Sequence, residues 1–116
     1  MGGKSMMIIH HYGEIKTLFS HCGITAREAD FDKSKPTPYI AYYRSAERYI
    51  RADGITIYTV ISMAAELYTK RTDTATEPIF EKYFRDNGIV AKKSERVFVE
   101  GENYYETVYE FELVMK

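Results

Sequence analysis

The stretch "YIRADGITIYTVISMAAELYT", residues 49–69, decides the fold, because the rest of the chain must pack on whatever it forms. Asp53-Gly54 interrupts it, and that dipeptide readily takes the positive φ angles of a two-residue hairpin turn. Strands are therefore expected on both sides. After the turn, Ile57, Ile61, Met63, Ala65 and Leu67 fall on one face and Tyr58, Ser62, Glu66 and Tyr68 on the other, the period of a half-buried strand. Met, Ala, Glu and Leu are also good helix formers, so "SMAAELY" keeps a helical alternative open.

Working outward, "YIAYYRS" is short, aromatic and free of turn residues, and reads as the strand that opens the sheet. Before it, Ile8, Tyr12, Ile15, Phe19 and Cys22 recur at spacings of three and four, which predicts an amphipathic helix over residues 7–22. The segment "ITAREADFDKSKPTP" has no period and contains two prolines; it is expected to be a polar connector. Beyond the hairpin, Thr76 is the expected N-cap of a second helix, with Pro78 in its first turn, an apolar stripe of Ile79, Phe80, Tyr83 and Phe84, and Gly88 as its stop. "IVAKKSERVFVE" and "YYETVYEFELVMK" then read as two strands joined at Gly101-Glu102-Asn103. In the last strand Tyr105, Tyr109, Phe111, Leu113 and Met115 alternate with Glu106, Glu110 and Glu112 on the opposite face.

The predicted order is helix, three strands, helix, two strands. Hairpin connections dominate, so the expected fold is α+β: a mainly antiparallel four- to five-stranded sheet with two helices packed on one face. Ile15, Phe19, Ile61, Met63, Leu67, Phe80, Phe84, Tyr109, Phe111 and Leu113 are the expected core. Residues 1–116 form one domain, and residues 1–5, "MGGKS", read as an added or disordered leader.

At 116 residues and 45% hydrophobic content, the chain is large enough to fold without metals or disulfides. Cys22 is its only cysteine, which points to a reducing compartment. No run of about 18 apolar residues is present, so no membrane span is expected. The net charge of −1 provides no overall field for nucleic acid or an anionic membrane. Its distribution is uneven: residues 1–94 hold 14 Lys/Arg against 11 Asp/Glu, and residues 95–116 hold two against six. An acidic end on a mildly basic body suits head-to-tail self-association, and on charge patterning alone it equally reads as a solvated outer strand face.

Candidate chemistry is sparse. His10, His11, His21 and Cys22 are metal-capable, but neighbours on a helix point about 100° apart, and His21 lies three turns further on. Glu110 and Glu112, with Glu66 nearby, would suit a hard cation; a small metal-dependent enzyme is the alternative they keep open. No nucleophile has a recognisable base, and no glycine-rich phosphate loop exists. Catalytic, cofactor and metal residues are therefore expected to be none. Eleven tyrosines without a tryptophan, several on both strand faces, suggest either ordinary exposed strand formers or a second buried surface.

Taken in order, "PTPYIAYYRS", "RADGITIY", "AELYTKRTD", "EPIFEKYFRDNGI" and "ENYYETVYEFEL" resemble the tail terminators, or tail-completion proteins, of the head-tail joining module of phages and prophages of low-GC Gram-positive bacteria. The likeness covers roughly residues 36 to 113. It implies a non-enzymatic virion component, assembled in the bacterial cytoplasm. Such a protein forms a homo-oligomeric ring, a hexamer by resemblance, that caps the tail tube protein and docks to the head connector proteins, with no cofactor and no specific nucleic acid binding. A head-completion or connector protein of the same module is the nearest alternative. The surfaces carried over are the turn at Asp53, the loop that begins with Lys70 and Arg71, and the outward Glu106, Glu110 and Glu112.

Overall fold

A computed structural model describes residues 6–31 and 36–116; the leader reading of residues 1–5 lies outside them. The hairpin at Asp53-Gly54 is the backbone of the fold. Strands β3 (Tyr39–Ala52) and β4 (Ile55–Lys70) pair antiparallel along nearly their whole length, and β7 (Tyr104–Met115) pairs antiparallel with the other edge of β4. "SMAAELY" is strand throughout, because its partners on both sides let Met63, Ala65 and Leu67 alternate into the core. Tertiary pairing here overrides helix propensity.

The sheet is larger than expected and mixed rather than mainly antiparallel: among the described residues it has seven strands, in the order β1 (Ile8–Ile9), β7, β4, β3, β2 (Thr25–Glu28), with β5 (Lys92–Lys93) and β6 (Val97–Val99) also on β7. The additional strands are short. Residues Ile8–Ile9 form β1, parallel to β7, and Thr25–Glu28 form β2, parallel to β3. The first helix is correspondingly shorter than 7–22: α1 spans Gly13–Ser20. Ile8 and Tyr12 continue its spacing by coincidence, for both are exposed, while the β-branched pair at 8–9 takes an extended conformation and buries Ile9. The connector hid β2 because "TARE" is an edge strand, largely exposed, with no apolar alternation to reveal it.

"IVAKKSERVFVE" divides into β5 (Lys92–Lys93) and β6 (Val97–Val99), both antiparallel to β7. Ser94 bridges them: its N–H donates to the Val108 carbonyl at 2.8 Å, and its Oγ accepts the Val108 N–H at 2.9 Å.

Helix α2 spans Thr76–Asp86. Its N-terminal hydrogen bonds go to Asp73 rather than to the expected Thr76 cap: Asp73 Oδ1 accepts the N–H groups of Ala75 and Thr76 at 3.0 and 3.1 Å. At the other end Gly88 has φ of 72°, the Ile89 N–H donates to the Phe84 carbonyl at 2.9 Å and the Gly88 N–H to Arg85 at 3.1 Å, a Schellman closure.

Both helices lie on one face of the sheet and touch each other, with the Tyr83 hydroxyl donating to the Leu18 carbonyl at 2.5 Å. All ten expected core residues are in the cluster between the layers. Phe84 is its hub, with ring centroids of Phe80 at 4.4 Å and Phe111 at 4.8 Å, while Phe19 stacks on Tyr42 at 4.1 Å. Tyr105, also expected on this face, lies partly exposed beyond the helices against Phe98.

Candidate interaction surfaces

The β4–β7 ladder ends at Thr59 opposite Met115, but β3 and β4 continue to the turn. Residues 50–58 therefore project as a two-stranded arm, about 13 Å long at the usual rise per residue. Ile55 and Ile57 are 68% and 55% exposed on it. At its tip Asp53 and Gly54 have φ of 53° and 76°, the positive pair that a type I′ turn requires.

Lys70 and Arg71 sit at the far end of β4, both exposed. They line a notch of about 220 Å³ with Thr37, Thr72, Glu102, Asn103 and Tyr104. The sixteen residues of β4 put roughly 50 Å between this notch and the arm tip, nearly the full 53 Å length of the molecule. Asp53 and the two cations are thus kept apart within one chain.

Glu106, Glu110 and Glu112 occupy the sheet face away from the helices, as their alternation implies. The register adds Glu66, opposite Val108 and so diagonal to both Glu106 and Glu110. The Glu66 carboxylate accepts the Tyr68 hydroxyl at 2.6 Å and the Tyr43 hydroxyl at 3.4 Å. Burial, then that hydrogen bond and the charges of Glu106 and Glu66, push the Tyr68 phenol well above its ordinary range. Glu112 has Arg48 at 3.9 Å, and Glu110 lies directly opposite Lys92. Among the described residues no group of three or more His, Cys, Asp or Glu side chains is placed to hold a metal ion. His10 and His11 are exposed and Cys22 is buried, its thiol donating to the Phe19 carbonyl.

Two features were not foreseen. The first is a small aromatic cluster on the helix-free face, where Tyr68 packs between Tyr39 and Tyr104 at 6.2 and 5.4 Å with Ala41 beneath. The surplus of tyrosines on both strand faces was its signal. The Tyr104 hydroxyl is buried and has no hydrogen-bond partner among the described residues. The second is an ionic clamp between α2 and β5–β6. Lys93 Nζ lies 2.9 Å from Glu77 and 2.8 Å from Glu81, and Arg96 Nε 3.0 Å from Glu77. The hydrogen bonds to Glu81 and Glu77 raise the Lys93 pKa. Burial pushes Glu81 upward, but its bonds to Lys93 and the Tyr109 hydroxyl outweigh this and leave it lowered. Nothing in the one-dimensional pattern marked those partners, since they meet only through the fold.

In comparisons with known proteins, no family model and no curated sequence matches the chain. Among the described residues, no helix is long and apolar enough to cross a membrane.

Proposed function

We propose that this chain is a structural protein of the phage head-tail joining region, a tail terminator that assembles as a ring on the end of the tail tube. In this reading it is a virion component without catalytic activity. The ring is a hexamer by resemblance, and its two sides meet the tail tube protein and the head connector.

The observation that carries the reading is the projecting arm. Two isoleucines exposed on a narrow ribbon leave apolar area in water that none of the described residues covers. The arm tip and the basic notch lie at opposite ends of the molecule, a placement compatible with successive tip-to-notch contacts between copies, and such heterologous contacts close into a ring when the rotation permits. A helix-free sheet face rich in Tyr and Glu provides a second surface for partners.

The test is to add the purified protein to polymerising tail tubes and follow tube length and end decoration by electron microscopy. Growth should stop, with a ring on one end. Unrestrained elongation, together with a chain that stays monomeric at high concentration, would overturn the proposal. Binding to the head connector but not to tubes would move the protein to the head-completion role.

A further inference from the structure

We infer that the notch formed by Lys70, Arg71, Glu102 and Tyr104 is the receptor for the arm tip of a second copy of this chain, and that the Asp53 carboxylate is the group it takes. The inference rests on self-assembly as proposed above and names the contact that drives it.

Four observations converge. Asp53 makes no hydrogen bond or ion pair with any described residue, and its position in the turn holds it outward. The notch lies about 50 Å along β4 from that turn, so only another copy brings the two together. Lys70 and Arg71 likewise have no carboxylate within ion-pair distance among the described residues. The notch is also lined by Tyr104 and Glu102, beside these two cations.

Size and sign select the occupant. A volume of about 220 Å³ is below that of a drug-sized ligand site and suits a side chain or a turn. The wall bears both signs, two cations and Glu102, so a free anion meets repulsion as well as attraction. The arm tip also bears both signs: Asp53 suits Lys70 and Arg71, and Arg51, two residues away, suits Glu102. Complementarity of both signs favours a particular register over plain anion capture. The acids of β7 are poorer candidates, because Glu112 and Glu110 already have Arg48 and Lys92 beside them.

A head-to-tail contact makes a distinctive forecast for mixtures. Asp53→Asn removes the charge but tolerates the positive φ of the turn; such a chain keeps its notch. A Lys70→Gln/Arg71→Gln chain keeps its tip. Each alone should associate about tenfold or more weakly than the unsubstituted protein at low ionic strength, with the difference shrinking as salt screens the contact. An equimolar mixture should form heterodimers in sedimentation velocity and go no further, since one intact tip meets one intact notch.

Urea unfolding of both variants should match the parent, because both sites are exposed. Rings that form normally from either variant would overturn this contact while leaving the ring reading standing. An unsubstituted chain that never associates would overturn both. Dissociation of the heterodimer by millimolar phosphate, but not by chloride at matched ionic strength, would reassign the notch to a free anion.

Discussion

Replacing Ile55 and Ile57 by serine should separate folding from assembly. Full burial of an isoleucine side chain is worth about 1.5–3 kcal/mol. With 68% and 55% of the two residues still in water, covering both on a neighbour stabilises the contact by about 2–3.5 kcal/mol. Their loss should therefore weaken association about 30- to 300-fold, at about 1.4 kcal/mol per factor of ten. Within the subunit the same side chains bury little, so unfolding of the dilute monomer should change by less than about 1 kcal/mol, mainly through strand preference. Sedimentation velocity across a dilution series gives the first quantity and urea denaturation the second. Association within a factor of about three of the parent's would refute the argument. So would a monomer destabilised by more than about 2 kcal/mol, because that result would mean that the isoleucines pack inside their own chain.

Phe84→Ala should cost about 3–5 kcal/mol in urea unfolding, as it empties the centre of the aromatic cluster, whereas Phe84→Leu should cost less than about 1.5. Lys93→Met should cost about 1–2 kcal/mol, a value discounted from that of a fully buried pair because Lys93 is itself 39% exposed. Adding Glu81→Gln, which neutralises the carboxylate left without its cation, should recover part of the loss, and a double variant worse than the single one would count against the clamp. Burial and their hydrogen bonds to Glu66 and Glu81 raise the Tyr68 and Tyr109 phenols above the ordinary 10.0. Their contribution is therefore full below about pH 10, where the unfolded phenols stay neutral, and falls as pH rises towards the folded values. Urea unfolding should show this alkaline loss, with a shallower slope in Tyr68→Phe.

The central hairpin, the last strand and the second helix were legible because each buries one face and so leaves a period in the chain. Met63 with Leu67, Phe111 with Leu113, and Phe80 with Phe84 announce that face whatever surrounds them. The missed strands are those that bury almost nothing. Thr25–Glu28 joins the sheet by backbone hydrogen bonds, which side-chain patterns do not record. Ile8–Ile9 is so short that its apolar pair extended the helix stripe by accident. For the surfaces, strand alternation placed Glu106, Glu110 and Glu112 on the outer face, and turn chemistry placed Asp53 at a tip. What stayed hidden was adjacency across the fold, in which Lys93 meets Glu77 and Glu81, Arg48 meets Glu112, and Tyr104 joins Lys70 in one notch.

The outer margin of β7 is closed by three separate fragments, and this has a kinetic consequence. Val97–Val99 and Lys92–Lys93 reach it from nearby in sequence, but the Ile8–Val114 rung closes a loop of more than a hundred residues. Loop-closure entropy rises slowly but steadily with separation, so the rung at Ile8 should form last and reopen first. Amide exchange in the native state should then show a graded margin. The N–H of Val114, bonded to Met7, should exchange ahead of the Val108 N–H held by Ser94, and both ahead of the β3–β4 and β4–β7 ladders at Met63. Along that margin the protein unzips from one corner, a strand fragment at a time, while the three long strands stay paired.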